Sequence, residues 1–190
     1  MAVEETQESH LFGGAFSACL PPGSLDISEM RQVPDNQEVF VHPDTDQSVI
    51  VELLEYQAEV PDENAARYHF EDIASSSDSS EILSEEQFPL APLAFEGCSS
   101  AWKLTCRQDI AKFNEEARNT VCVHLVLLRL PQYETDLLIT FNNPIWINPL
   151  SSSAVQNTEV PLALSQPPWT AEHFYAFVCS LRLLNPGVFG

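Results

Sequence analysis

The chain has 190 residues, of which 44% are hydrophobic and 9% aromatic, enough for one domain with a real core. Its net charge of −20 is lopsided, because residues 1–97 hold 21 acidic residues against two arginines, whereas residues 98–190 hold seven against six bases. This charge argues against nucleic acid as a partner and favours a basic protein surface, although plain solubility is the alternative reading. No apolar run approaches the roughly 20 residues that a membrane span needs, so membrane insertion is not predicted. The N-terminus, MAVEETQESH, lacks the basic and apolar segments of a signal peptide, which predicts a cytosolic protein with access to the nucleus.

The first half alternates short strands with turns. Residues 1–10 have no apolar period and predict a disordered N-terminal tail, followed by a single domain over residues 11–190. From there the pattern predicts a strand over 12–20, a short helix from Asp26 or Ser28 to Arg31, hairpin strands over 38–41 and 48–56, and a helix that opens at Pro61 and carries Ala66, Phe70 and Ile73 on its apolar face.

The second half reads mainly as strands. The pattern predicts a serine-rich linker over 75–80, a loop over 81–97, strands over 101–113, 121–130 and 136–142, a loop over 143–168, and a helix capped by Thr170 with a buried stripe of Phe174, Phe177, Val178 and Leu181. Short connections favour antiparallel pairing. The predicted fold class is therefore α+β, a single antiparallel sheet of about six strands flanked by helices.

Signatures of catalysis or of cofactor binding are missing from the sequence. There is no P-loop, GxGxxG, GxSxG or HExxH, and the five cysteines are dispersed without a CxxC spacing. Cys122 and His124 share one strand face and form a conceivable nucleophile pair, but no third group orients them, and a semi-buried core histidine is the alternative. The sequence predicts no enzyme activity, no cofactor and no metal site.

An acidic cluster is the remaining candidate for a functional site. Its members lie in elements that should be adjacent in space: Asp26, Asp35, Glu38, Asp46 and Glu55. Asp35 and Glu38, three residues apart across a turn-to-strand junction, can converge on one cation. The cluster is interpreted either as a solvated loop region or as a docking site for lysine and arginine side chains of a partner.

Several segments carry a family resemblance. The stretches LFGGAFSA, LDISEMRQVPDNQEVF, HPDTDQSVIVELLE, AARYHFED and RLPQYETDLLITFNNP resemble the Mog family of Ran guanine nucleotide release factors, from residue 11 to the C-terminal helix. The combination of PDNQEVF with LRLPQY is the most specific part of the match. The resemblance implies one antiparallel sheet flanked by helices, similar to the photosystem PsbP proteins, which agrees with the fold read from the residues.

The resemblance also implies a function. Members of the family bind the small GTPase Ran and promote release of its guanine nucleotide, in nucleocytoplasmic transport. The acidic Ran-contacting motif of the family maps onto Asp35 and Glu38, with Asp26 at a further acidic position. Vertebrate members are linked to a cardiac voltage-gated sodium channel, so a cytoplasmic loop of this channel is a second predicted partner. A monomer of the nucleus and cytoplasm, recruited to the plasma membrane through the channel, is expected. The alternative function is a trafficking adaptor for a membrane channel without nucleotide release.

Overall fold

A computed structural model describes residues 7–77, 79–111, 116–150 and 164–190. Within these ranges the chain forms β1 (Glu8–Leu11), β2 (Phe16–Cys19), β3 (Leu25–Asp26), β4 (Gln37–Val41), β5 (Ser48–Glu55), α1 (Asp62–Ala74), β6 (Ser79–Gln87), β7 (Ser100–Ala111), β8 (Arg118–Leu130), β9 (Thr135–Trp146), α2 (Ala171–Ser180) and β10 (Arg182–Leu183). The strands form two antiparallel sheets. The larger has the order β3-β4-β5-β9-β8-β7-β6, and the smaller has the order β1-β2-β10.

The large sheet is covered on both faces, which explains the apolar run in β8. Successive residues of a strand point to opposite faces. Leu125 and Leu127 pack in the cluster that contains Phe70 of α1, whereas Val126 packs in the cluster that contains Phe174 of α2. Helix α1 therefore covers one face of the large sheet, and α2 with the small sheet covers the other. None of the helices in the described ranges is long and apolar enough to cross a membrane.

The predicted α+β class is confirmed, but the prediction of one sheet with about six strands is wrong. The chain adds strands where the sequence indicated a tail or a loop. Strand β1 begins at Glu8, so the predicted disorder is wrong for residues 8–10, while residues 1–6 lie outside the described residues. Strand β9 continues through Trp146 into the predicted loop 143–168. Residues 151–163 of that loop also lie outside the described part of the chain.

Strand β6 spans Ser79–Gln87, so the predictions of a linker over 75–80 and of a loop over 81–97 are wrong where they meet, at residues 79–80 and 81–87. Its serine and glutamate residues have low strand propensity, but their acidic side chains meet bases across the sheet and on α1. The ion pairs are Glu81–Arg107 at 3.4 Å, Glu86–Lys103 at 3.2 Å and Glu85–Arg67. Cross-strand pairs of opposite charge stabilise a sheet, and these partners are distant in sequence, so the local pattern does not reveal them.

The predicted strand over 12–20 is interrupted at its start. Residues Phe12–Gly14 form a 3-10 turn in which Phe12 and Gly13 have φ angles of 51° and 65°. Glycine adopts such angles readily, but phenylalanine does so only under strain. The strand itself begins at Phe16.

The other predicted elements of the chain are confirmed with small changes at their ends. The hairpin β4–β5, helix α1 and strands β7 and β8 lie where the sequence placed them. Asp26 caps the short helix by accepting the Ser28 N–H at 2.8 Å, although only the 3-10 turn Ile27–Glu29 follows. Thr170 caps α2, and the side chain of His173 completes a capping box.

Candidate partner-binding groove

An open groove of about 950 Å³ lies at the end of the large sheet where β4 begins and β5 ends. We call it the acidic groove. Its walls are the Phe12–Gly13 turn with Ser28, the segment from Val33 to Glu38, the segment from Leu53 to Tyr56 with Ala58, the turn from Tyr133 to Thr135, and Val188 with Phe189. Four carboxylates line it, those of Asp35, Glu38, Glu55 and Glu134. No lysine, arginine or histidine occurs among the described residues of the lining.

The structure brings together three of the five acidic residues predicted to form a site. Asp35, Glu38 and Glu55 line the acidic groove. Asp26 lies beside it, since its charge acts on Glu38 and its neighbour Ser28 belongs to the lining. The fold places Asp35 and Glu55 on the same end because β4 begins and β5 ends there.

Asp46 lies apart from the acidic groove, so its predicted place in one cluster with Asp35 and Glu38 is wrong. It occupies the turn at the opposite end of the β4–β5 hairpin and lines a separate cavity of about 510 Å³. The eight residues of β5 between these ends span about 24 Å at the usual rise per residue. A single basic side chain therefore does not reach Asp46 and Glu55 together.

Glu38 combines exposure to the groove with a structural contact. Its Oε1 accepts a hydrogen bond from the backbone N–H of Phe12, in the strained turn. Burial raises the pKa of the Glu38 carboxyl, the Phe12 N–H opposes this shift, and the negative charge of Asp26 adds to it. Burial therefore makes the negative charge of Glu38 costly to keep without a cationic partner.

The ion pairs in the described part of the chain do not involve the groove carboxylates. Arg67, Lys103 and Arg107 pair with glutamates of β6, far along the sheet from β4. Arg129 is fully buried and pairs with Asp136 and Asp62. Among the residues that the structure describes, no ion pair joins Asp26, Asp35, Glu38 or Glu55 to a basic side chain.

Glu134 is a groove residue that sequence reasoning missed. It follows the turn Pro131–Tyr133 and has a left-handed backbone with a φ angle of 49°. Its carbonyl accepts the N–H of Tyr56, which joins two walls of the groove. The sequence indicated a turn at Pro131, but it did not indicate that this turn lies beside the end of β5.

A buried charged cluster behind the groove was also missed. Arg129 of β8 faces Asp136 of β9 in the sheet register, and its Nε donates to Oδ1 of Asp136 at 3.0 Å. The Nε2 atom of His69, on α1, lies 2.8 Å from Oδ2 of Asp136. The only available sequence signal is an arginine in a run of apolar residues, because such a charge needs a partner.

The Cys122–His124 pair is brought together but is not arranged for nucleophilic chemistry. The Cys122 Sγ lies 3.6 Å from Nε2 of His124, and the Thr105 hydroxyl lies 3.4 Å from Nδ1. Burial raises the pKa of the Cys122 thiol and lowers the pKa of the His124 imidazole. Both shifts favour the neutral forms over a thiolate–imidazolium pair. His124 stacks on Phe141 at 5.7 Å, as expected for a semi-buried core histidine.

The two-sheet α+β fold and the acidic groove together define a class of α+β protein that presents clustered carboxylates at one end of its large sheet. Comparison with known proteins identifies the family. Residues 9–144 match the family model described as Ran-interacting Mog1 protein. The chain belongs to the Mog1 family, which confirms the resemblance seen in the sequence.

Relatives and solved structures agree with this assignment. The chain is 55% identical to a Ran guanine nucleotide release factor of Danio rerio, over 95% of this chain and 98% of the relative. It is 50% identical to a Ran guanine nucleotide release factor of Homo sapiens, over 99% of both chains. The nuclear import protein mog1 of Schizosaccharomyces pombe is 35% identical over 77% of this chain and 82% of the relative. Among solved structures, the Ran-binding protein Mog1p of Saccharomyces cerevisiae superposes with a TM-score of 0.67 at 25% identity, over 97% of this chain and 98% of that chain.

Proposed function

We propose that the acidic groove binds basic side chains of Ran and that this binding promotes release of the guanine nucleotide from Ran. The observation that carries the proposal is the convergence of Asp35, Glu38 and Glu55 in one groove whose described lining contains no base. Membership of the Ran-interacting family supplies the partner, and the names of the vertebrate relatives support nucleotide release as the outcome.

Nucleotide release follows from competition for positive charge. A small GTPase holds its nucleotide through backbone amides, a P-loop lysine and Mg²⁺. A carboxylate of the groove that pairs with that lysine, or with a basic residue of the switch region, weakens the contacts to phosphate and metal. Binding of this protein and of nucleotide then oppose each other, and the coupling free energy is the same in both directions. No covalent step is needed, so the protein acts as a regulator of a GTPase.

The proposal is tested with a charge-removing double variant, Asp35→Asn with Glu38→Gln. The amide introduced by Glu38→Gln keeps an oxygen for the Phe12 N–H, so the turn at residues 12–14 retains its hydrogen bond. We expect the affinity for nucleotide-free Ran to fall by about tenfold or more, which is about 1.4 kcal/mol or more, with little change in melting temperature. The control is Asp46→Asn, which removes one negative charge at the other end of the hairpin and should bind Ran normally. Full release of labelled nucleotide by the double variant would overturn the proposal.

Catalytic exchange and stoichiometric trapping are distinguished by the amount of protein needed. Labelled nucleotide release from Ran is followed with this protein at a small fraction of the Ran concentration. Repeated turnovers establish an exchange factor. A plateau at one nucleotide released per molecule establishes a trap that holds nucleotide-free Ran.

Nuclear import is the process in which we place this activity, because the fission yeast relative is named a nuclear import protein. Residence in both nucleus and cytoplasm follows from that role. Binding of a sodium channel loop, with recruitment to the plasma membrane, stays a prediction of the family resemblance. Pull-down of the cytoplasmic channel loop in excess Ran tests it. Competition indicates that the acidic groove serves both partners, whereas a ternary complex indicates separate surfaces.

A further inference from the structure

A fully buried arginine holds one wall of the acidic groove. Arg129 is 0% exposed, and its guanidinium donates from Nη2 to the carbonyl of Gln57 and from Nη1 to the carbonyl of Val60, each at 2.7 Å. Its partner Asp136 accepts the N–H of Gln57 at 3.2 Å. The charge pair therefore fixes the segment 56–60, which joins β5 to α1, by three hydrogen bonds to its backbone.

The other side of this segment faces the groove. Tyr56 and Ala58 line the groove, and Glu55, one of its carboxylates, directly precedes them. The guanidinium carbon of Arg129 lies 4.2 Å from the centre of the Tyr56 ring. Arg129 thus contacts the wall from behind without belonging to the described lining of the groove.

Arginine suits this place better than any other residue. Its planar fork donates from Nε to Asp136, from Nη1 to Val60 and Asp62, and from Nη2 to Gln57. Lysine is a point charge with three donors on one nitrogen and cannot span these acceptors. Because a buried ion pair contributes little more to stability than well-packed apolar residues, its geometry is the property that an apolar pair would not reproduce.

We propose that Arg129 is a positioning residue for Ran binding, which acts by holding Glu55 and Tyr56 at the wall of the acidic groove. The proposal rests on the proposed function of the groove. Glu55 binds the partner productively only while Arg129 fixes the segment that follows it. Asp35 lies in the described segment before β4, which accepts no hydrogen bond from Arg129, and its effect does not depend on Arg129.

The test is a pair of double-mutant cycles measured as Ran affinity. In the wild-type background, Glu55→Gln and Asp35→Asn should each lower affinity by about threefold to tenfold, as removal of single interface charges does. In an Arg129→Lys background, the effect of Glu55→Gln should shrink to within about twofold, whereas the effect of Asp35→Asn should persist. If Arg129 had only a structural role, Arg129→Lys would lower stability but would leave the effects of Glu55→Gln and Asp35→Asn on Ran affinity unchanged. Full additivity in both cycles would therefore overturn the proposal.

A second background guards against failure to fold. Arg129→Met with Asp136→Asn removes both charges and leaves an amide oxygen for the N–H of Gln57 and for His69. This background should give the same selective loss of the Glu55 effect while circular dichroism shows a folded protein. The double variant of Asp35 and Glu38 is assayed alongside. If that variant binds Ran normally, the proposed function fails, whereas if it loses binding and the Arg129 cycles are additive, only the positioning role fails.

Discussion

The carboxylate of Glu38 accepts a hydrogen bond from the backbone N–H of Phe12, which lies 26 residues earlier in the chain. This contact joins the small sheet, through the turn between β1 and β2, to the first residues of β4. It also uses one oxygen of a carboxylate that lines the acidic groove. Substitutions of Glu38 therefore combine a structural effect with an effect on charge, and the two are separable.

Glu38→Ala and Glu38→Gln should differ in stability because only glutamine replaces the hydrogen-bond acceptor. Loss of the acceptor leaves the Phe12 N–H of a strained turn without its partner, which costs about 1 kcal/mol. We expect urea unfolding at neutral pH to give a lower free energy of unfolding for the alanine variant. Both variants should lose Ran affinity equally, since both lack the charge. Equal stability of the two variants would show that the contact with Phe12 contributes nothing.

The pH dependence of stability should report the raised pKa of Glu38. The folded protein holds the proton of this carboxyl to a higher pH than the unfolded chain does, because burial and the charge of Asp26 disfavour the carboxylate. The protonated Glu38 carboxyl therefore stabilises the folded protein fully below its ordinary pKa of 4.5. This stabilisation is lost as pH rises through the pKa that Glu38 has in the folded protein. Glu38→Gln should gain stability relative to the wild type over that interval, measured by unfolding in steps of pH. A relative loss over the same interval would indicate a lowered pKa.

Glu134→Gly should raise stability and lower Ran affinity together. A φ angle of 49° costs a residue with a Cβ roughly 1–2 kcal/mol of backbone strain, which glycine does not have. The greater entropy of glycine in the unfolded chain offsets roughly 0.5–1 kcal/mol of this gain. The net stabilisation is therefore about 0.5–1 kcal/mol. The same change removes a carboxylate from the groove. Glu134→Asn is the control, since asparagine tolerates this backbone and also lacks the charge. If Glu134→Gly is more stable and binds Ran with unchanged affinity, Glu134 does not contribute to the interface.

Thiol reactivity should separate a core cysteine from a nucleophile. Burial raises the pKa of Cys106 to about 12 and raises the pKa of Cys122 as well. We expect both to react with iodoacetamide more slowly than a free thiol near a pH of about 8, as measured by mass spectrometry of peptides after timed quenching. His124→Gln should leave the rate at Cys122 unchanged. If Cys122 were alkylated faster than a free thiol and His124→Gln abolished this difference, the two residues would form a nucleophile pair after all.

The hairpin shows what a sequence alone predicts well. Strands β4 and β5 have β-branched residues between turn residues, and their pairing partners are close in sequence, so local pattern determines both the elements and their register. The same proximity correctly placed Asp35 and Glu38 beside Glu55. It misplaced Asp46, because a hairpin separates residues at its turn from residues at its open end.

Contacts between distant segments explain the rest. The local sequence of β6 is typical of a linker or loop, and the strand is stabilised by ion pairs of its glutamates with Arg67, Lys103 and Arg107. Strand β1 exists because residues 8–11 pair with β2 across the turn at Phe12. Glu134 enters the groove only because β9 lies beside β5 in the sheet, although the two strands are far apart in sequence. Such pairings are set by the tertiary fold and leave no periodic signal in the chain.

The rate of association with Ran should depend on salt through the carboxylates of the acidic groove. A chain with a net charge of −20 attracts a basic partner over a distance set by the Debye length, which falls from roughly 30 Å at 0.01 M salt to roughly 3 Å at 1 M. We expect the association rate constant, measured by stopped-flow fluorescence, to fall steeply over this range. Because Asp35 and Glu55 line the groove that is proposed to contact Ran, Asp35→Asn should reduce the slope of log rate against log salt more than Asp46→Asn does. Equal slopes for the two variants would mean that the total charge steers Ran and that the groove does not direct the encounter.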